Sequence, residues 1–311
     1  MDLDVVDRLS ELPFRLRAPS RRELLISAFT TDDRSRVSIA WPASYQWVHT
    51  SAFVDSIRGA LNRLGVLHIQ SIPQTHRGVV TLPCVVDGRT HVLVLDYSDH
   101  PDSINESALA VCSLYIKFQF LCDGYADSRI VAGGYPVSST QFYRYYRAFR
   151  RRYDGRPEVG VFARFGYAFQ GALRRRAVEL LSSAPDIHFL GAGRRVRYSR
   201  FLRESASARL CLDLPGNGPF TFRLPETLGL GSCLIAPRYV TRLQEKLEPG
   251  VHYVAIADDL SDLLDVCRYY LAHESERAAI ARAGRDFFDM HLHCDALAEY
   301  YVSTILARLG N

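Results

Sequence analysis

Arg223 and Glu226 stand three residues apart in LCLDLPGNGPFTFRLPETLGLGSCLIAP (210–237), where most other side chains are apolar or turn-forming. On a helix that spacing is nearly one turn, so guanidinium and carboxylate share a face. The preceding Pro215-Gly216-Asn217-Gly218-Pro219 supplies residues for tight backbone geometry, with Phe220 or Thr221 starting the helix. Free backbone N–H groups at such a start, with the positive end of the helix dipole, favour a phosphate, which makes Asn217, Gly218 and Thr221 candidate contacts. Arg223 would add a cation, and Glu226 could accept hydrogen bonds from the vicinal hydroxyls of a sugar. The plainer alternative is an i,i+3 surface pair worth about a few tenths of a kcal/mol.

Placing these residues requires a strand before the corner and another after it. From Glu158 onward the sequence alternates accordingly: strands at 158–166, 186–191, 208–216, 232–237 and 252–256, with helices at 168–183, 197–206, 222–231, 241–247 and 259–273 and two more to the end. Strands alternating with helices predict a parallel sheet covered on both faces, a doubly wound domain that binds ligands at the carboxyl ends of its strands. The first half is less regular. It predicts an amphipathic opening over 1–35, strands at 36–41, 66–71, 91–99, 114–120 and 129–134, a helix at 50–65 capped by Thr50 or Ser51 and stopped at Gly65, and a Tyr/Arg-rich helix at 138–153.

The chain has 311 residues, enough for two domains with real cores. It is 48% hydrophobic and 23% charged, without an apolar run of membrane-spanning length or a cationic leader, which suggests a soluble intracellular protein. Seven cysteines with no CxxC pair sit mostly in apolar runs, as buried thiols in a reducing compartment would; neither a disulfide framework nor a zinc site is expected. The net charge of +4 says less than its distribution: arginines cluster at 143–156, 174–176 and 194–200, where they either grip phosphates or solvate helix faces. No strand is followed by GxGxxG, and GAGRRV (191–196) has the wrong spacing, which disfavours a nicotinamide-dependent oxidoreductase.

The block PGNGPFTFRLPETLGLGSCLIAP, with GVHYVAIADDLSDLLDVCRYYLAHESERAAIARAGRDFF after it, resembles the carboxyl-terminal donor domain of GT-B glycosyltransferases. It is most similar to the exostosin-like, bacterial group-1 and protein O-glucosyltransferase (capsule-associated) families. The resemblance covers residues 156–300 well and the first 140 loosely. It implies an α/β GT-B fold, two Rossmann-like doubly wound domains facing a cleft. The expected division is an acceptor-side domain at 1–150, a nucleotide-sugar domain at 151–290 and a final helix, 291–311, packing back toward the first. It also implies a cytoplasmic, metal-independent transferase with no cofactor. The donor would be a UDP- or GDP-sugar, and the acceptor a glycan, a small molecule or a hydroxylated base in DNA.

Carried over by position, Glu226 would hold the donor's ribose hydroxyls and Arg223 the diphosphate side. Arg164 and Gly166 lie in the loop that often contacts the diphosphate, and Tyr198 where the nucleobase commonly packs. Retaining members often carry a second glutamate eight residues before this one; that position is Gly218, which favours an inverting reaction.

Inversion needs a base to take the proton from the acceptor hydroxyl. The first half offers Asp96 and Asp99 in LDYSDHPD, past an apolar strand, and His49 before the helix at 50–65. Each has an ordinary alternative: Asp99 or Asp102 as a turn cap, His49 as a structural residue. Lys117, alone among apolar neighbours in LYIKFQF, would face either the cleft or solvent. The rival reading is a non-catalytic Rossmann-like protein that binds a nucleotide or nucleic acid. That rival would use its basic face for binding, whereas the interleaving of rings with cations at 142–153, a pattern suited to stacking on bases, is what makes DNA an option as the transferase's acceptor.

Overall fold

A computed structural model describes residues 31–191 and 196–310. The opening segment through residue 30, and Arg194 and Arg195 of the third arginine cluster, lie outside the described residues. The chain divides into two compact units. One holds 31–139, 240–246 and 290–310; the other holds 140–191, 196–239 and 247–289.

In the first unit a short helix, α1 (Thr31–Ser35), leads into β1 (Val37–Pro42). Next come α2 (Thr50–Leu64) and β2 (Leu67–Gln70), then a hairpin of β3 (Val79–Val86) and β4 (Arg89–Asp96). After α3 (Glu106–Val111) come β5 (Leu114–Lys117), β6 (Phe120–Leu121) and β7 (Ile130–Ala132). The sheet order is β2-β1-β3-β4-β5-β7. β3 runs antiparallel to both its neighbours, whereas β1/β2, β4/β5 and β5/β7 pair in parallel. All strands of this sheet but β3 therefore end on one edge. β3 is absent from the sequence reading, although its turn, Asp87-Gly88 with φ of 47° and 79°, is a strong hairpin signal. Gly65, at φ 79°, stops α2 as expected, but the residue preceding the helix is His49, which makes no side-chain cap.

The second unit is more regular: α4 (Phe142–Tyr153), β8 (Val159–Ala163), α5 (Gly171–Ser182), β9 (Phe189–Gly191), α6 (Tyr198–Ala206) and β10 (Ala208–Leu212). It continues through α7 (Arg223–Leu230), β11 (Cys233–Pro237), and, after the chain's excursion into the first unit at 240–246, β13 (Val254–Ile256), α8 (Leu263–Ala272) and α9 (Glu274–Phe287). The order β13-β11-β10-β8-β9 is parallel throughout. Alternation along each strand feeds both faces. Val161, Ala163, Leu210 and Leu212 pack with Ala177 and Leu181 of α5 and Leu263 and Cys267 of α8, while Phe162 and Cys211 turn the other way, toward Phe201 of α6.

The helix expected at 241–247 does not form. Thr241 and Arg242 are a short strand, β12, antiparallel to β6, and Gln244 donates to the His291 carbonyl at 2.6 Å. Pairing with the first unit overrides a helix-favouring composition. The last helix, α10 (Cys294–Leu309), also lies in the first unit, packed on α2, with Tyr300 and Tyr301 donating to the carbonyls of Ala132 and Gly133. Six of the seven cysteines are buried, and all are free thiols.

Candidate donor site and candidate base residues

β8 and β10 are adjacent and parallel, so their carboxyl ends deliver two loops side by side. The loop after β10 tightens where the Gly216 N–H donates to the Gly218 carbonyl at 3.0 Å. Thr221 Oγ1 accepts from the Arg223 N–H at 3.2 Å and donates to Asp213 Oδ1 at 2.7 Å, which fixes the start of α7. Asn217 is exposed and Gly218 buried.

Two guanidiniums knit these loops together. Arg174, buried on α5, donates to the carbonyls of Gly166 (2.8 Å), Leu214 (3.0 Å) and Pro215 (3.1 Å). Arg223 donates to the Arg164 carbonyl from Nε at 3.1 Å and Nη2 at 2.7 Å, and its Nη1 lies 3.5 Å from Asp213 Oδ1. Both flank the Phe165 ring, at 5.4 and 4.8 Å. Burial, and then the charge of Arg223, pushes Arg174 down to about 10. Burial pushes the Asp213 carboxyl up, against the pull of Arg223, Thr221 and Arg174. Tyr239, also raised by burial, reaches Asp213 Oδ2 at 3.4 Å. Beside them the Arg164 side chain pairs with Glu204 at 2.5 Å, which Arg200 also holds at 2.8 Å.

Glu226 is buried on α7, and its Oε1 accepts from the Tyr198 hydroxyl at 2.7 Å. Arg223 pairs with Asp213 and the Arg164 carbonyl, not with Glu226, so the two are not a surface ion pair. Among the described residues that hydrogen-bond with one another at this edge, four guanidiniums (Arg164, Arg174, Arg200, Arg223) stand against three carboxylates (Asp213, Glu204, Glu226), a balance suited to an anion. Gly166 is exposed, and a Cβ there would meet nothing within 4 Å. The sequence-predicted donor residues Arg164, Gly166, Tyr198, Asn217, Gly218, Thr221, Arg223 and Glu226 thus occupy the loops and helix starts of one sheet edge. Sequence reasoning missed Asp213, Glu204 and the individual role of Arg174. An acid closing an apolar strand, at Asp213, was the available signal.

The base candidates lie in the first unit, at the edge where β1 and β4 end. Asp96 is buried and committed: Oδ1 accepts from the Ser98 N–H at 2.8 Å, and Oδ2 from Tyr115 at 2.6 Å and from Lys117 Nζ at 2.8 Å. Lys117 is 0% exposed and also donates to the Ser103 carbonyl at 2.9 Å, so it faces neither cleft nor solvent. Burial, and then Asp96, raises Tyr115. Asp99 is half-buried at the bend beyond. His49 is exposed, its ring edge-on to Trp47 at 5.0 Å. Trp47 stacks on Tyr97 at 6.4 Å, and Tyr97 meets Thr50 in a 2.8 Å hydroxyl pair, so the loops carrying His49, Asp96 and Asp99 are held together.

Among the described residues one group has metal-ligating donors close together, His293, Cys294 and Asp295. Arg63 already donates to Asp295 and to Cys294 Sγ, and His293 Nδ1 accepts from the Asp295 N–H at 3.3 Å, an arrangement that caps α10 and brings a guanidinium where a cation would sit. No described helix is long and apolar enough to cross a membrane.

Residues 172–303 match the family described as glycosyl transferase-like. Protein O-glucosyltransferase 2 of Danio rerio is 35% identical over 82 residues, a match that takes in 26% of this chain and 16% of that protein. The crystal structure of Anabaena HepE with UDP and glucose has a TM-score of 0.46 at 13% identity, covering 68% of this chain and 70% of that one. A glycosyltransferase from Rickettsia africae has a TM-score of 0.46 at 11% identity, covering 86% and 84%. The resemblance to glycosyltransferases read from the sequence stands, carried by the segment 172–303 that matches the glycosyl transferase-like family.

Proposed function

We propose that this chain transfers a sugar from a nucleotide-diphosphate sugar to an acceptor hydroxyl. The observation that carries the reading is Glu226: a buried carboxylate tied to Tyr198, at the carboxyl edge of a parallel sheet and inside the segment that matches the glycosyl transferase-like family. In this reading Glu226 accepts from the ribose hydroxyls of a UDP- or GDP-sugar, and Tyr198 orients that carboxylate beside the nucleobase. The diphosphate lies against the N–H groups of the Gly/Pro corner, Gly166, and the side of α7 bearing Arg223.

The acceptor oxygen attacks the anomeric carbon as a base removes its proton, the bond to the nucleoside diphosphate breaks, and the configuration inverts. Arg223, Arg164 and the corner N–H groups offset the negative charge that develops on the leaving diphosphate, a role that requires no metal ion. Asp99 and His49 are the better candidates for the base, since both reach solvent whereas Asp96 is buried in its pair with Lys117. The acceptor is a glycan in preference to DNA. The rings of α4 that would stack on bases, Phe142, Tyr145, Tyr146 and Phe149, are buried. Buried free thiols support action in the cytoplasm.

A thermal-shift screen against UDP-, GDP-, TDP- and CMP-sugars tests the donor site, because a ligand bound only by the native state raises the melting temperature. One nucleotide is expected to give a clear shift that Glu226→Ala abolishes while its ligand-free melting temperature stays within a few degrees of wild type. No shift with any donor overturns the reading in favour of a non-catalytic protein.

A further inference from the structure

The opposite edge of the second unit's sheet, where β10 and β11 begin, carries a cavity of about 470 Å³ that the donor site does not use. It is walled by the last turns of α4, the turn between α7 and β11, and one side of α9. Some of its arginines have structural work. Arg150 pairs with Asp289 at 2.8 and 2.9 Å and also donates to the Gly229 carbonyl at the end of α7. Arg277 pairs with Glu274, and Arg285 with Asp286 at 3.2 Å. Those pairs neutralise every lining carboxylate but Asp154.

Three lining guanidiniums remain. Arg151 and Arg282 are exposed, and Arg147, half-buried, donates to the Tyr146 hydroxyl at 3.0 Å; none has a carboxylate partner among the described residues. A fourth donor is unsatisfied: Arg277 is 6% exposed, and its Nε has no hydrogen-bond partner. A buried N–H without a partner is costly, and its presence in a cavity wall points to a ligand acceptor.

We propose that this cavity binds a small phosphorylated anion of nucleotide size, held by Arg147, Arg151 and Arg282 with Arg277 Nε as a further donor. Guanidinium forks match phosphate oxygens bidentately, and the volume lies within the roughly 300–1,000 Å³ of small-ligand sites. With Phe142, Tyr145, Tyr146, Phe149 and Tyr153 buried, α4 offers bases little aromatic surface to stack on, which favours a compact anion over a nucleic-acid strand. This assigns the arginine cluster of 143–156 a ligand that the transfer reaction does not employ, at a site that stands or falls independently of the donor site.

Titration calorimetry of the full chain with inorganic tripolyphosphate tests it, comparing wild type with Arg151→Ala/Arg282→Ala. Both substituted side chains are exposed, so the fold is kept, as an unchanged melting temperature will show. Wild type binds, and the double variant loses at least about tenfold in affinity, the equivalent of one or more charge-assisted contacts. Nucleotide-sugar affinity stays the same. If the donor edge also takes the probe, two classes of site appear and only one is lost. Absence of binding by wild type at millimolar probe, or equal affinity in the double variant, overturns the proposal. So does competition by oligothymidylate that strengthens with strand length, which would mark an extended nucleic-acid surface.

Discussion

Replacing Arg174 by Met removes the guanidinium that ties the loop after β8 to the corner after β10, while keeping much of the side chain's apolar bulk. Three hydrogen bonds from a charged donor are lost, to the carbonyls of Gly166, Leu214 and Pro215. Leu214 is 1% exposed, so its carbonyl would lose a charge-assisted bond worth about 2 kcal/mol with little access for water. The other two lie on more accessible loops and cost about 0.5 kcal/mol each. Relief from burying a guanidinium beside Arg223, the burden that lowers Arg174 to about 10, works in the other direction. The net destabilisation expected is about 2 kcal/mol, read as a lower urea midpoint at unchanged slope. Because the same bonds hold the candidate phosphate loops in register, nucleotide-sugar affinity should also fall about tenfold or more, as preorganisation is lost. Arg174→Lys separates charge from geometry: one ammonium cannot span three carbonyls in the guanidinium plane, so it should behave like Met. Wild-type midpoint and affinity in the Met variant, or full rescue by Lys, would refute the cross-tie.

Gly166→Val should leave the urea midpoint unchanged, since a Cβ there meets nothing within 4 Å, yet weaken nucleotide-sugar binding because branched methyls would stand where the diphosphate approaches; equal affinity removes Gly166 from the site. Asp96→Asn should destabilise by about 3–5 kcal/mol by stranding Lys117, and Asp96→Leu/Lys117→Met should recover most of that loss; a fully stable Asp96→Asn contradicts the buried pair. Asp99→Asn should lower turnover with donor affinity unchanged, and full turnover would leave His49 as the base candidate.

The parts of the fold that could be read from the sequence are those whose signals are local. The parallel strands of the second unit and Gly65 as a helix stop follow from periodicity and backbone freedom. The hairpin β3–β4 was equally local in its Asp87-Gly88 turn, but Pro83 interrupts the apolar run and masked the strand. Thr241–Arg242 could not be read, because its conformation is set by Leu121 and Phe120, more than a hundred residues earlier. Lys117 looked like a surface or cleft charge, since only the register that places it opposite Asp96 reveals the pair. In the candidate donor site, Tyr198 and Glu226 could each be named from the sequence. Their hydrogen bond could not, nor could the contacts that Arg174, in the first turn of α5, makes with the Leu214 carbonyl and the Phe165 ring.

The division of the chain also dictates an order of events during synthesis. The first unit needs residues 240–246 and 290–310 to complete it, so it must wait until that last segment has been synthesised, while the second unit can close once residue 289 emerges. Cutting the gene at the boundary between the two halves would therefore yield an amino-terminal piece lacking β12 and α10, with part of its apolar surface exposed. The segment 172–303 would fare no better by itself, since β8, which lies between β10 and β9, would be missing from the middle of its sheet. Pieces that respect both units would have to be circularly rearranged or supplied together.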